Sequence, residues 1–474
     1  MPPRDGKTSG GWQRQRPLDN PRGPGYEAPQ KVPSLFTSRT PVAILGAGLT
    51  GMSAALHLRR EGVDCRLIER LSEVGGHAIT IEDQGYRFDR TGHLLHLRDP
   101  AIRELATSVI EGGTLEIERR SRVFSRGVYT RYPYQANTFG LPPEVAHACV
   151  TGFVKAHFAA DKKAPKNFEE FCRAHFGDAI SDEFMIPYNT KLWGVPPREI
   201  SAAWCSRFVP LPKLEDVIAG AVGLNDRELG YNARFTYPRL GIGQLALGLR
   251  KAAGAVELLR TARSIDAKAR TITFDDETIR YDALVSTTPL PALVGLISDA
   301  PEAVRAAAKR LRCTHLHYLD VALNGPVTLP YHWVYVPEER YPFYRVGSYS
   351  NFSPAMAPPN KGSLYVELSS RDTPDLRALL PRIAADLREM KLIDSEHAIR
   401  FARARTIEHA YVVFDDDYYP ALDVIVPYLR SVNIVSAGRY GGWNYSSMED
   451  ALLFGRDAAH TARAMIGTPA ELSS

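Results

Sequence analysis

Residues Val42 to Arg70 read VAILGAGLTGMSAALHLRREGVDCRLIER, and this stretch decides the fold. An apolar run of strand type, Val42 to Leu45, leads into Gly46-x-Gly48-x-x-Gly51. Met52, Ala55 and Leu56 then recur at helical spacing, and a second apolar run from Cys65 to Ile68 ends on Glu69. Gly46 permits the tight turn, Gly48 lets backbone approach a pyrophosphate, and Gly51 lets the helix pack close to the strand. The helix start, with Thr50 in its first turn, offers free N–H groups and a positive dipole end to the phosphates. Glu69, followed by Arg70, is spaced to accept hydrogen bonds from a ribose hydroxyl. Strand, helix, second strand and acidic tip fall in order, which predicts a dinucleotide site rather than a structural turn.

Gly75-Gly76-His77 follows closely, where a nicotinamide-type fold would continue into its next helix. A double glycine there brings the chain close to a cofactor's phosphates and ribityl arm. The cofactor read from this is FAD. The chain then returns through Tyr86-Arg87-Phe88-Asp89 to Gly92-His93. As a residue type, His93 suits a flavin contact and a surface turn equally.

At 474 residues the chain is too long for one ordinary core. Composition, with 44% hydrophobic and 24% charged residues, is that of a globular protein. No apolar run reaches the ~18 residues of a membrane span, and the N-terminus lacks a secretory h-region. Residues 1–39 hold seven prolines and five glycines and are expected to be a disordered tail. Their seven Lys/Arg against three Asp/Glu account for the whole chain's net +4, so the basic balance predicts no nucleic-acid surface on the body. Five scattered cysteines without a C-x-x-C pair predict reduced core thiols, no metal site and a cytoplasmic location.

Residues 100–230 read as mostly helical, with 131–137 extended ahead of Pro133. Residues 235–290 read as β-rich, and 290–405 alternate. Asn433 to Gly438 reads as a strand closing on glycine, and 449–464 as a final helix whose start, near Met448, faces the flavin. The expectation is an α/β protein: a Rossmann-type, glutathione-reductase-like FAD domain from 40–100, 235–290 and 405–465, with a mixed helical and β substrate domain from 101–234 and 291–404. Tyr132, Gln135, Asn189 and Trp193 are types that hold a planar base and a ribose, or that pack a core. Arg345, among tyrosines, suits a diphosphate or a core-edge ion pair.

Gly75-Gly76, Gly92-His93, YPYQAN (132–137), YNTKLWGVP (188–196), WVYVPEERYPFYR (333–345), SYSNFSP (348–354) and GRYGGWNY (438–445) resemble the UDP-galactopyranose mutases, most closely the eukaryotic branch. The similarity is collinear from about residue 40 to 465. It implies an FAD enzyme that interconverts pyranose and furanose forms of a UDP-sugar without net redox change, reduced flavin N5 attacking the anomeric carbon. It implies His93 and Arg439 beside the isoalloxazine, Tyr132 and Gln135 on the uridine with Asn189 and Trp193 nearby, and Tyr335, Arg345, Tyr411 and Tyr445 around the diphosphate. Arg119 and Ser121 fall where that branch meets NADPH or NADH as reductant, and a homo-oligomer is compatible with it. The family's second arginine maps to Phe208, with Arg207 one residue before it as the candidate for the charge. The segment 445–448 is one residue shorter than the eukaryotic pattern and nearer the bacterial one. Two other readings stand beside the mutase: an FAD oxidoreductase of amine-oxidase or desaturase type, and a nucleotide-sugar binder without turnover.

Overall fold

The computed structural model describes residues 37–160, 163–205, 209, 211–224 and 233–467. Arg207, Phe208 and the tail as far as residue 36 lie outside the described residues.

The opening strand is longer than its apolar core. It runs Thr37–Leu45, three residues into the expected tail, and pairs in parallel with Thr278–Ser286 on one side and Cys65–Ile68 on the other. Val42, Ala43 and Ile44 are wholly buried. That suits a central parallel strand covered on both faces. Val256–Glu257 and Ile434–Ser436 extend this parallel array, and Ser264–Asp266 and Thr271–Thr273 add an antiparallel flank. The helix Leu49–Arg60 covers one face and packs along the closing helix Met448–Gly467. A Cβ on Gly455 would come within 2.4 Å of the Thr50 carbonyl oxygen, so the two helices approach at bare backbone.

A second seven-stranded sheet stands against the first. Its order is Ile399–Val412, Cys313–Leu323, Ser363–Ser370, Arg345–Ser348, Trp333–Tyr335, Ser121–Ser125, Val128–Arg131. All its pairings are antiparallel except that of Trp333–Tyr335 with Ser121–Ser125. The helix Ile186–Trp193 packs on the strand Ser363–Ser370, and helices Pro143–His157 and Phe168–Ile180 pack on each other.

Three expectations are corrected. Residues 100–230 are not mainly helical at their start: Thr114–Glu118, Ser121–Ser125 and Val128–Arg131 are strands, the last two a hairpin turning at Arg126-Gly127, both at positive φ. The segment expected to be extended contains a buried 3-10 turn, Tyr134–Ala136. The boundary at 405 falls inside the strand Ile399–Val412, which belongs to the second sheet. The α/β class and the strand–glycine turn–helix–strand unit stand as read.

Candidate active site

Between the sheets lies a cleft of about 2420 Å³. A single small-molecule pocket runs to ~1,000 Å³, so this one has room for two ligands. Every proposed site residue among the described ones lines it, except Gly51 and Ser121.

Gly51 acts from behind. A Cβ there would lie 1.9 Å from the Gly46 carbonyl oxygen, so it sets the closeness of helix and turn. Gly46 sits at φ +100°, and a Cβ on it would meet Thr287 Oγ1 at 2.2 Å. Gly48 differs: its φ is −73° and its nearest protein atom to an added Cβ is Gly76 Cα at 4.0 Å. The open side of Gly48 is therefore kept for something other than protein. Gly75 N donates to Ala47 O at 2.8 Å, which brings the double glycine alongside the first turn. Gly438, at φ +86°, abuts Thr50.

Glu69 is buried, its carboxylate held by the Ala47 N–H at 2.8 Å and the Leu71 N–H at 2.9 Å, one on each oxygen. Each oxygen keeps a lone pair for a ligand hydroxyl. Arg70 is exposed at the mouth. Ser447 and Asp450 cap the closing helix reciprocally, Ser447 N–H to Asp450 Oδ2 at 2.8 Å and Asp450 N–H to Ser447 Oγ at 3.1 Å. Met448 begins that helix on the cleft wall.

His93 Nδ1 is buried without a hydrogen-bond partner among the described residues. Burial first, and then the Arg439 and Arg345 cations, hold its pKa down to about 4, so the ring is neutral. Arg439 donates to Ser446 O and Ala410 O at 2.8 and 2.9 Å and lies 4.9 Å from the Tyr445 ring centre.

On the other flank, Tyr132 and Tyr335 face each other at 4.7 Å between ring centres, with Arg119 5.1 Å from the Tyr132 ring. Tyr411 stacks towards Tyr445 at 6.3 Å, and its hydroxyl meets that of Tyr344 at 3.1 Å. Gln135 is 3% exposed, at the back of this wall. Asn189 is partly committed, its amide donating to Met185 O at 2.6 Å. Trp193 packs edge-on against Trp204 and Tyr411 at 5.2 and 5.7 Å and lends the wall its stiffness. Ser121 is fully buried and off the lining; of that pair, Arg119 reaches the cleft.

Arg345 makes the ion pair its surroundings suggested, and its side chain also lines the cleft. Its Nε and one Nη grip Glu367, its register partner on the neighbouring strand, with the Nη2 contact at 2.9 Å. Glu367 is wholly buried. The remaining Nη1 makes no hydrogen bond among the described residues, on a side chain that lines the cleft. Glu367 did not stand out in the sequence, since only strand register brings it to the site.

The profile of the family described as flavin containing amine oxidoreductase matches residues 49–462. The chain belongs to that family. Among solved structures, a reduced UDP-galactopyranose mutase superposes with a TM-score of 0.85 at 27% identity, over 91% of this chain and 96% of that one. A protoporphyrinogen oxidase-like protein of Exiguobacterium sp. 255-15 follows the fold at a TM-score of 0.71 and 15% identity, over 90% of this chain and 99% of that one. Among curated proteins, a dTDP-fucopyranose mutase of Escherichia coli is 24% identical over 179 residues, 35% of this chain and 45% of that protein. A mouse pyridine nucleotide-disulfide oxidoreductase domain-containing protein is 42% identical over 60 residues. The chain spans about a tenth of the mouse relative and less than half of the mutase. The flavin-containing amine oxidoreductase cradle fits FAD: Gly48 leaves open space beside Gly75 and Gly76, and His93 carries an unpartnered nitrogen into the same cleft.

Proposed function

We propose that this protein is an FAD-dependent mutase of a nucleotide sugar, interconverting the pyranose and furanose forms of a UDP-hexose or close relative. The observation that carries the reading is Arg345, braced by Glu367 beside Tyr335 and Tyr411, in a fold 27% identical to a UDP-galactopyranose mutase over nine-tenths of the chain. Reduced FAD, when bound, supplies the nucleophilic N5 for the anomeric carbon. The chain's own part is electrostatic and positional. Arg345 pairs with the diphosphate and stabilises the charge it gains as UDP departs. Tyr335, Tyr411 and Tyr445 add hydroxyl donors; burial raises the first two above the ordinary phenol range, Tyr411 to about 12, so they stay protonated. Tyr132 and Gln135 hold the uridine, with Asn189 and Trp193 behind them. His93, neutral, takes or gives a hydrogen bond at Nδ1 without adding charge. Arg207 is proposed to supply the family's second arginine, and NADPH or NADH to act as reductant against Arg119.

Anaerobic incubation of dithionite-reduced protein with UDP-galactofuranose, followed by chromatography, tests this. Conversion to UDP-galactopyranose is expected. Absence of turnover together with absence of UDP binding overturns it in favour of an FAD oxidoreductase on another substrate, a reading favoured by the family profile.

A further inference from the structure

Arg405 is a cleft residue that the proposed reaction leaves unused. Register partners run straight across four strands of the second sheet: Arg345 faces Glu367, Glu367 faces Tyr318, and Tyr318 faces Arg405. Register partners share a face of a sheet, and Arg345, Tyr318 and Arg405 all line the cleft. Both arginines are braced by a buried carboxylate. Glu367 holds Arg345, and Asp320, also wholly buried, accepts from Arg405 Nε at 2.6 Å. The Tyr349 hydroxyl, which lies 2.6 Å from the Asp89 carbonyl oxygen, is 3.2 Å from the other Asp320 oxygen. With Nε engaged, neither Nη of Arg405 has a hydrogen-bond partner among the described residues. A planar fork so anchored is preorganised to receive an oxyanion.

Two placements narrow the ligand. Three strand spacings of about 4.8 Å put Arg405 roughly 14 Å from Arg345 at the backbone. It stands on the side away from Tyr335, which is the next register partner of Arg345 in the other direction. A diphosphate gripped by Arg345 and Tyr335 therefore lies on the opposite flank. The row also meets the Gly92-His93 loop: a Cβ on Gly92 would come 2.3 Å from the Tyr365 hydroxyl, and Tyr365 stands two residues before Glu367 on the same face. A flavin ring held beside the Gly92-His93 loop would bring an electron-rich group, one that gains negative charge on reduction, to this part of the cleft.

We propose that Arg405, positioned by Asp320, is an anion-binding residue for the reduced flavin and favours it over the oxidised form. The assignment rests on FAD occupancy and is independent of which substrate the enzyme takes.

The test is a redox titration of the FAD-loaded protein. Arg405→Met should bind oxidised FAD at wild-type stoichiometry and lose about tenfold in its preference for reduced flavin. That lowers the two-electron midpoint by about 30 mV. Arg405→Lys should recover part of the shift. Because Arg405→Met leaves Asp320 buried and unpaired, Asp320→Asn/Arg405→Met is titrated as well, and it should show the same lowered midpoint. An unchanged midpoint in the double variant overturns the proposal and leaves Arg405 as the neutraliser of Asp320. Failure of the wild type to bind FAD would instead remove the cofactor reading itself.

Discussion

Gly48 and Gly46 are the same residue type two positions apart, yet they answer to different constraints. Gly46 is fixed by protein: its φ and the Thr287 hydroxyl forbid a side chain. Gly48 has an ordinary φ and an empty side. Gly48→Ala is therefore expected to fold with an unchanged melting midpoint of the apoprotein while losing most bound FAD. Gly46→Ala should lower the midpoint of the apoprotein itself. Absorbance at the flavin band and thermal denaturation of both variants separate the two roles. Arg345 carries the second residue-scale expectation. Arg345→Ala should weaken UDP binding to the reduced protein by roughly 2–5 kcal/mol, with Arg345→Lys recovering only part, by calorimetry. It should also cost roughly 3–5 kcal/mol of stability, since Glu367 is left buried and unpaired. The sequence made Arg345 a candidate through its tyrosine neighbours. It was silent on Glu367, 22 residues away, because a cross-strand partner is set by register and not by local spacing.

Elements with a local code were legible. Val42 to Ile68 announces itself by glycine spacing and a change of period from strand to helix. The hairpin Ser121–Ser125 and Val128–Arg131 was not, although Arg126-Gly127 is a turn signal. Its residues alternate too weakly, and its partner Trp333–Tyr335 lies some two hundred residues on. The same junction yields a pH expectation. His332, just before that partner strand, accepts the Arg120 N–H at Nδ1 at 2.9 Å. Burial, and then Arg120, push its pKa down to about 3. Below pH 6.5 the unfolded chain binds a proton that the folded chain refuses, so stability should fall as pH drops from 6.5 towards about 3. His332→Asn keeps an acceptor without the titration and should flatten this limb in urea midpoints measured across pH. His77 and His93, held to about 3 and about 4, contribute with the same sign, so the limb should shrink and not vanish.

For the whole molecule, FAD seated in the cleft would fill part of the space between the two sheets. Removing FAD should lower the melting midpoint by several degrees, and adding it back should raise the midpoint with free FAD concentration. Linkage gives about 2.7 kcal/mol at one hundred times the dissociation constant. A midpoint independent of FAD would place the cofactor outside the folded core. Calorimetric scans at stepped FAD concentrations decide it. The two-part architecture was readable from length and from the return of strand patterns after residue 235. The shared strand Ile399–Val412 was not, since nothing local marks which sheet a strand joins.

One pairing described above reaches into how the protein is made. The strand Thr37–Leu45 is flanked by Cys65–Ile68, which follows at once, and by Thr278–Ser286, which leaves the ribosome more than two hundred residues later. The second sheet likewise holds its hairpin at 121–131 waiting for 333–335. At a translation rate of roughly 5–20 residues per second, the first strand stays half-paired for ten seconds or more, with an apolar edge open to other nascent chains. Chaperone occupancy on stalled nascent chains should therefore persist until about residue 290 has emerged, and co-expressed halves cut between the two segments should reach the soluble fraction only together.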